Sequence, residues 1–260
     1  MASLSDHLPA LHRIARRAGA AILDVYHAAE GIEIDRKADD SPLTAADQAA
    51  NAIICEALEK EVHPYPIISE ENKAIPYETR RTFTRVWVVD PLDGTKEFIK
   101  RNGEFTVNIA LLDEGRPVLG VVYTPVTDDL YWAVEGEGAF RRQNGETTRL
   151  QAASYRESDA GLRLVCSRSH LNEATQAFVD RYDAPELVSK GSSLKFLLIA
   201  ADEADVYPRL APTMEWDTAA AHVILTEAGG EVVRADDGQP LVYNKEKLLN
   251  PHFIARARRQ

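Results

Sequence analysis

The N-terminal part of the chain carries apolar residues at helical spacing. Between positions 8 and 25 they recur every three or four residues, which predicts an amphipathic helix with one buried stripe. After the polar stretch 37–44, a second pattern of this kind runs from Ala49 to Leu58. Thr44 stands where a hydroxyl commonly caps a helix, so we expect the second helix to begin there and to pack against the first.

The middle of the chain contains short apolar runs that are typical of β-strands. Residues 66–68 and 86–89 form two such runs, and acidic residues follow each of them directly. Three further runs, 105–112, 117–123 and 130–134, are separated by turn-forming residues. Their spacing predicts an antiparallel meander.

The C-terminal part of the chain alternates between strand and helix patterns. Gly229 and Gly230 follow the last predicted helix, at a position where glycine commonly ends helices. The predicted order is strand 162–166, helix 172–181, helix 193–201, strand 206–207, helix 218–228 and strand 231–234.

A stretch of polar and small residues, 151–161, interrupts the pattern between these two regions. We therefore predict an N-terminal half, 1–155, and a C-terminal half, 156–260, that together form one compact unit. Each half contains helices and strands, so the predicted fold class is α+β, with helices and sheets in layers.

Composition and charge narrow the function classes. The chain has 260 residues, of which 45% are hydrophobic and 27% charged, as in an ordinary globular protein with a large core. The net charge of −11 repels polyanions overall, which argues against general binding of nucleic-acid polymers. A small anionic substrate then requires local positive charge, and bound metal ions can supply it. A monomer and a homodimer both remain open.

The sequence contains no evident targeting or membrane segment. No stretch approaches the roughly 20 apolar residues that span a bilayer, and the N-terminus lacks the pattern of a secretory signal. We therefore expect a cytoplasmic protein in which Cys55 and Cys166 are reduced and buried. The basic residues Arg256, Arg258 and Arg259 are expected to form a solvated chain end, and peripheral contact with an anionic inner membrane is the alternative.

The segment WVVDPLDGTKEF combines a strand pattern with two acidic residues. Asp90 stands where the strand is expected to end, Pro91 is expected to stop it, and Asp93 is expected to form a turn with Gly94. The two carboxylates and the carbonyl of Leu92 can then face one point. A site built from oxygen atoms alone suits Mg²⁺ better than zinc.

Two more acidic residues stand at the ends of predicted elements. Glu70 follows strand 66–68, and Asp217 directly precedes helix 218–228. If the two strands are neighbours, Glu70 arrives beside Asp90, and a cluster of four carboxylates then requires cations to stay ionised. We therefore expect two or three Mg²⁺ ions, held by Glu70, Asp90, Asp93, Asp217 and the Leu92 carbonyl, with the substrate phosphate beside the same residues.

Thr95 is a candidate for orienting the attacking water. The backbone N–H groups of Gly94 and Thr95 can face a phosphate oxygen where a helix begins. The Thr95 hydroxyl can position a water that a metal ion has acidified, and Asp47 can accept the threonine proton. We therefore predict Asp47 and Thr95 as the catalytic pair.

Each of these acids also has a purely structural interpretation. Asp47 stands three residues after Thr44, where a capping box places an acid, and Asp217 can be a helix N-cap. The Asp-Pro-Leu-Asp-Gly stretch can be a plain turn, and Glu70 can be solvated. Together these interpretations do not explain why acids end several strands while a threonine follows Asp-Gly.

Three features together resemble the inositol monophosphatase superfamily. They are Asp-Pro-Leu-Asp-Gly-Thr at 90–95, Glu70 after a strand, and Trp216-Asp217 before a helix, and the resemblance extends over nearly the whole chain. It implies an α-β-α-β-α layered sandwich, Mg²⁺ dependence and sensitivity to Li⁺. It also implies metal ligation by Glu70, Asp90, Leu92, Asp93 and Asp217, and water activation by Asp47 and Thr95.

Within that superfamily the sequence looks most similar to 3′(2′),5′-bisphosphate nucleotidases linked to sulfate assimilation, through stretches such as KADDSPLTAAD and PTMEWDTAAAH. This resemblance implies hydrolysis of adenosine 3′,5′-bisphosphate to AMP and phosphate, with 3′-phosphoadenylyl sulfate as a second substrate. A doubly phosphorylated ligand needs cationic or polar donors away from the metals. We therefore predict substrate contacts from Ser167, His170, Lys195 and Arg209, for which loop, capping and snorkelling roles are the alternatives.

Two other functions remain open. One is a phosphatase with the same machinery that acts on inositol phosphates or sugar phosphates. Lys96-Glu97, which follows Thr95, differs from the usual continuation of the motif in inositol phosphatases and argues against it by analogy. The other is a regulator that binds a phosphate ligand without turnover, and such a protein would not need the pair Asp47 and Thr95.

Overall fold

The computed structural model describes residues 3–27, 34–36, 42–166 and 172–260. Its α-helices are α1 Leu8–His27, α2 Ala45–Ala57, α3 Tyr77–Arg80, α4 Thr95–Ile99, α5 Glu173–Val179, α6 Leu194–Ala200 and α7 Ala219–Glu227. A 3₁₀ turn, Leu4–His7, precedes α1, and a π-helical turn, Leu58–Val62, extends α2. Within the described residues, no helix is both long and apolar enough to cross a membrane.

The strands are numbered β1 to β16 in chain order. They are β1 Ile34–Arg36, β2 Pro42–Thr44, β3 Ile67–Ser69, β4 Arg85–Asp93, β5 Thr106–Asp113, β6 Arg116–Thr124, β7 Asp129–Val134, β8 Gly138–Gln143, β9 Glu146–Arg149, β10 Ser154–Tyr155, β11 Arg163–Cys166, β12 Glu186–Ser189, β13 Val206–Arg209, β14 Glu231–Arg234, β15 Phe253–Arg256 and β16 Arg258–Arg259.

The first helical layer follows directly from the apolar periodicity. In α1, Leu11, Ile14, Ala18 and Ile22 form one fully buried stripe, as predicted. This stripe packs with α2 against one face of a sheet of seven strands that the described residues form in the order β3 to β9. We call it the larger sheet.

The strand β4 is buried on both faces, which explains its continuous apolar run. Trp87 and Val89 face the layer of α1 and α2, whereas Val86 and Val88 face the opposite core. β3 pairs with β4 in parallel, and β4 to β9 pair antiparallel. The predicted meander is confirmed as β5, β6 and β7.

The prediction that Pro91 ends the strand is wrong. β4 continues to Asp93, and its register against β5 shifts between the pairs Asp90–Asn108 and Asp93–Thr106. Such a bulge takes the proline nitrogen out of the hydrogen-bonded ladder, so the strand can continue past it. The bulge also changes the direction of the chain between the carboxylates of Asp90 and Asp93.

The larger sheet contains a hairpin that the sequence analysis missed. β8 and β9 are joined by Asn144 and Gly145, both with positive φ, at 51° and 83°. Asn-Gly is the preferred dipeptide of a two-residue hairpin turn, so the signal was present in the sequence.

A second sheet, which we call the smaller sheet, lies on the other side of the molecule. In the described residues it has five strands in the order β12-β11-β13-β15-β14. The core between the two sheets contains α6 and α7, and α5 packs against β13. The layers therefore run α-β-α-β-α, as predicted.

Arg258 and Arg259 are exposed, as predicted for a solvated chain end, whereas Arg256 is half-buried and the residues around it belong to the fold. Phe253, Ala255 and Ala257 are buried at alternate positions, which places β15 inside the smaller sheet between β13 and β14. The Arg256 guanidinium lies 2.7 Å from Glu231, and that of Arg259 lies 3.0 Å from Glu157. The period-two burial therefore fixes the chain as far as Ala257, and the two arginines that follow it stay at the surface.

The two cysteines are free, as expected, although only Cys166 is fully buried and Cys55 is half-buried. The larger sheet ends before the stretch 151–161, and the smaller sheet begins after it. The division into halves at residue 155 stays a prediction.

Candidate metal centre and substrate cavity

Parallel pairing of β3 with β4 brings two acidic residues together. The N–H of Glu70, directly after β3, donates to the carbonyl of Val89 at 3.2 Å, and Asp90 is the next residue along β4. Asp217 reaches the same place from the turn that precedes α7. One carboxylate oxygen each of Glu70, Asp90 and Asp217 lies within 4.8 Å of the others. This separation allows a single cation to contact all three.

Asp93 is held at the edge of this cluster by donors from two other elements. Its Oδ2 accepts the N–H of Ser193, just before α6, at 2.5 Å, and the side-chain amide of Asn108 on β5 at 3.4 Å. The hydroxyl of Ser193 in turn donates to Asn108 Oδ1 at 2.9 Å. Neither Ser193 nor Asn108 was predicted, because nothing in the sequence shows that these residues meet Asp93.

Asp217 is oriented from within its own turn. Its Oδ2 accepts the hydroxyl of Thr213 at 2.5 Å and the N–H of Met214 at 2.9 Å. Thr218, not Asp217, is the N-cap residue of α7, so the interpretation of Asp217 as a simple N-cap is not supported. Thr213 was also not predicted, although a hydroxyl four residues before an acid in the same turn can indicate a hydrogen bond to that carboxylate.

The carboxylates raise one another's pKa values. For Asp90 the largest cause is burial, followed by the negative charges of Glu70, Asp93 and Asp217. Burial and the charge of Asp217 raise the pKa of Asp93 to about 7, against the opposing effect of Lys195. Burial also raises the pKa of Asp217. A buried cluster of this kind is stable in ionised form when cations neutralise it.

The donor set fits a hard divalent cation. The three clustered residues offer only carboxylate oxygens, without histidine or cysteine. Oxygen-only sites of this type suit Mg²⁺ rather than zinc. The Leu92 carbonyl accepts the Thr95 hydroxyl at 3.4 Å, while the Leu92 N–H donates to Asp90 Oδ1 at 3.1 Å.

The predicted catalytic pair lies beside this cluster. Asp47 is buried in the first turn of α2, and its charge contributes to the raised pKa of Asp90. Thr95 is the first residue of α4 and follows Gly94, whose φ of 96° favours glycine. The contact between Asp47 and Thr95 stays a prediction.

A cavity of about 540 Å³ opens beside Asp93 and Asp217. Both Lys195 and Arg209 line it, and each is also held by the backbone: Lys195 Nζ donates to Ser192 O at 2.9 Å, and Arg209 donates to Pro212 O at 2.6 Å. The lining also includes the cations Lys96, Lys100 and Lys190.

Two predicted substrate contacts, Ser167 and His170, lie outside the described residues. The three additional lysines are cavity-lining residues that sequence reasoning missed. Lys96 enters the sequence analysis only as a difference from the inositol-type motif, although its position directly after Thr95 is a signal that it lies near the site.

The chain matches the Inositol monophosphatase family over residues 3–259. It is similar to the 3′(2′),5′-bisphosphate nucleotidase CysQ of Salmonella typhimurium, with 46% identity over 93% of this chain and 96% of that protein. The crystal structure of CysQ from Bacteroides thetaiotaomicron is similar with a TM-score of 0.86 and 44% identity, covering 98% of both chains. An inositol monophosphatase from Anabaena has a TM-score of 0.74 and 25% identity, covering 99% of this chain and 92% of that one. This chain therefore belongs to the inositol monophosphatase family.

Proposed function

We propose that the chain is a Mg²⁺-dependent 3′(2′),5′-bisphosphate nucleotidase that hydrolyses adenosine 3′,5′-bisphosphate to AMP and phosphate. The observation that carries this proposal is the convergence of Glu70, Asp90 and Asp217 beside a cavity lined by lysine and arginine. The similarity to proteins named as bisphosphate nucleotidases over 93% of the chain supports the choice of substrate. 3′-Phosphoadenylyl sulfate is the proposed second substrate.

The proposed metal ligands are Glu70, Asp90, the Leu92 carbonyl, Asp93 and Asp217, holding two or three ions. When bound, Mg²⁺ supplies charge neutralisation and lowers the pKa of a coordinated water. Gly94 and Thr95 bind the phosphate through their backbone N–H groups in this proposal. The Thr95 hydroxyl orients the attacking water and accepts a proton from it, while its own proton passes to Asp47. The water oxygen forms the new bond to phosphorus as the bond to the ribose oxygen breaks, and the released ribose oxygen takes a proton from solvent.

The two phosphates of the substrate have different requirements. The phosphate that is hydrolysed lies at the carboxylate cluster, while the second needs cations at a distance from it. We assign that role to Lys195 and Arg209, and the support for it is that both line the cavity, where Lys96, Lys100 and Lys190 add positive charge. Ser167 and His170 remain the proposed contacts for the nucleoside or its second phosphate.

The metabolic role, the inhibition, the location and the oligomeric state of the protein are also proposals. We propose a role in sulfate assimilation, inhibition by Li⁺, and a cytoplasmic location for a monomer or homodimer. The ion pairs of Arg256 and Arg259 favour the cytoplasm over peripheral contact with the inner membrane, because they occupy two of the three basic groups considered for such contact. Cell fractionation tests the location, and size-exclusion chromatography tests whether the protein is a monomer or a homodimer.

One assay distinguishes this function from its alternatives. Phosphate release is measured from adenosine 3′,5′-bisphosphate, inositol 1-phosphate and fructose 1,6-bisphosphate, with Mg²⁺, with Mg²⁺ and Li⁺, and with a chelator. We expect the highest kcat/KM for the nucleotide and no turnover in the chelator. Preference for either other substrate would reassign the enzyme within the family, and binding without turnover of all three would indicate a regulator.

A further inference from the structure

The carboxylate of Glu215 is completely buried two residues before Asp217, yet it does not belong to the metal cluster. It accepts the N–H of Asn244 at 2.6 Å, the N–H of Lys245 at 3.1 Å and the Lys245 ammonium at 2.5 Å. All of these donors come from the loop 242–250, between β14 and β15. A buried carboxylate that accepts hydrogen bonds from three donors holds the segments that carry those donors rigidly in place.

Lys245 connects the same loop to the turn that carries Asp217. Its ammonium also donates to Val242 O at 3.0 Å and lies 3.3 Å from Asn250 Oδ1. The amide of Asn250 then donates to Met214 O at 2.8 Å and to the Thr218 hydroxyl at 3.0 Å. The two ends of the turn around Asp217 are therefore bonded to one side chain.

Backbone hydrogen bonds reinforce this attachment. The N–H of Glu215 donates to Leu248 O at 2.9 Å, and the N–H of Asn250 donates to Thr213 O at 2.9 Å. Thr213 itself holds the Asp217 carboxylate. The turn thus has little freedom to move independently of the loop.

The other end of the network reaches the segment that follows Glu70. The buried guanidinium of Arg80 donates to Asn244 Oδ1 at 2.7 Å, Lys245 O at 3.0 Å and Glu246 O at 3.1 Å. It also donates to Ile75 O at 2.9 Å, five residues after Glu70. The network therefore bridges the two parts of the chain that supply the clustered carboxylates.

We propose that Arg80, Glu215 and Lys245 are positioning residues that set the separation between Asp217 and the pair Glu70 and Asp90, and thereby the affinity for the divalent cation. A buried ion pair is often no more stabilising than apolar residues of the same volume, so stability alone does not explain its presence here. Partners behind the first ligands commonly control metal affinity. The inference rests on the metal site of the proposed function, but not on its substrate.

The test measures metal binding directly, without substrate. Mn²⁺, which prefers the same oxygen ligands, is titrated into the protein, and the free ion is followed by its electron paramagnetic resonance signal. For Glu215→Gln and Lys245→Met we expect a roughly tenfold to hundredfold higher Kd than for the wild type. The Mg²⁺ concentration for half-maximal activity should rise by the same factor, with kcat at saturating Mg²⁺ changing much less.

Asp205→Asn is the matched control. Asp205 is also a buried carboxylate, held by the N–H and guanidinium of Arg163, but it stands at the opposite end of β13 from the cavity residue Arg209. Its variant should lose thermal stability and bind Mn²⁺ like the wild type. An equal change in Kd for the control would show a general loosening and overturn the proposal.

Asn250→Ala keeps the ion pair between Glu215 and Lys245 and removes the hydrogen bonds to Met214 and Thr218. This variant is measured in place of the first two if they do not fold. We expect a Kd roughly tenfold higher than that of the wild type, which is the lower end of the range for a residue behind the ligands. Wild-type affinity in folded Glu215→Gln, or in Asn250→Ala, would contradict the inference. Failure of the wild type to bind Mn²⁺ would overturn the metal site itself, whereas a different substrate preference would leave this result unaffected.

Discussion

Hydrogen bonds to one oxygen of a carboxylate fix the direction of the other. At Asp217 the hydroxyl of Thr213 and the N–H of Met214 both bind Oδ2, and at Asp93 the N–H of Ser193 binds Oδ2. This restricts rotation of both side chains before any cation arrives. Preorganisation of this kind lowers the cost of assembling a metal site.

Replacing Thr213 by valine tests the preorganisation of Asp217. The substitution keeps the shape of the side chain and removes the 2.5 Å hydrogen bond. We expect the Kd for Mn²⁺ to rise roughly tenfold, as for other partners behind metal ligands. Thr226→Val is the control, because among the described residues the Thr226 hydroxyl donates only to the carbonyls of His222 and Val223 within α7. Equal affinities for both variants would argue against a role for Thr213.

Asp93→Asn and Asp217→Asn should separate activity from stability. Each removes a charge from a cluster in which the carboxylates raise one another's pKa values. We expect turnover to fall by orders of magnitude, while the melting temperature in a chelator rises because repulsion is relieved. Added Mg²⁺ should raise the melting temperature of the wild type but scarcely that of the variants. Wild-type turnover at saturating Mg²⁺ would defeat the metal assignment.

Thr95→Ala tests the orientation of water. The change removes the hydroxyl that donates to the Leu92 carbonyl at 3.4 Å and leaves the backbone N–H in place. Loss of a positioned proton-transfer group typically costs 10² to 10⁴ in rate, so we expect a kcat lower by about that factor and an unchanged KM. An increase in KM with unchanged kcat would assign Thr95 to substrate binding instead.

At the scale of elements, the contact between β6 and α7 decides where Asp217 lies. Gly120 on β6 faces the backbone of α7 so closely that a Cβ there would be 2.4 Å from the Ala220 carbonyl oxygen. The helix can approach the sheet only because this residue lacks a side chain. Asp217 immediately precedes this helix and therefore depends on the approach.

Gly120→Ala should displace α7 from the sheet. We expect a loss of about 1–3 kcal/mol in the free energy of unfolding, as for other overpacked cores, together with weaker binding of Mn²⁺. Gly19→Ala is a useful comparison, because its Cβ would meet the Tyr123 ring on the opposite face of the larger sheet. A ring can shift more easily than backbone, and alanine favours the helix, so its loss should be smaller and metal binding should persist. Equal effects of both variants on Mn²⁺ binding would refute the role of the β6–α7 contact.

At the scale of the whole molecule, acid affects stability through two opposing sets of groups. His222 is buried against the Tyr243 hydroxyl at 2.8 Å, and burial lowers its pKa to about 4. The unfolded chain therefore binds a proton that the folded chain does not between pH 6.5 and 4, so this residue reduces stability as the pH falls. The carboxylates with raised pKa values act in the opposite direction when no cation is bound.

Comparison of the wild type with His222→Asn isolates the histidine. A shift from 6.5 to about 4 corresponds to about 3 kcal/mol, so the wild type should lose up to that much more stability than the variant over this pH range. Urea unfolding at pH 7 and at pH 4.5, in a chelator, gives both free energies. Parallel pH dependences of the two proteins would show that His222 is not the titrating group.

The sequence by itself determined the elements whose pattern is local. The stripe of α1, the meander β5 to β7 and the acids at 90 and 93 are encoded within a few residues, because burial of one face imposes its own period. The Asn-Gly turn at 144–145 and the alternation of buried residues at 253–257 are local signals of the same kind.

Only the tertiary structure decided which distant groups meet. The pairing of β3 with β4 and the approach of α7 to Gly120 bring Glu70, Asp90 and Asp217 within 4.8 Å of one another. Ser193 and Asn108 also became donors to the site through tertiary packing, whereas Thr213 lies in the same turn as Asp217. Local periodicity indicates which face of an element is buried, but it does not indicate which other element covers that face. The metal centre depends on which elements pack together.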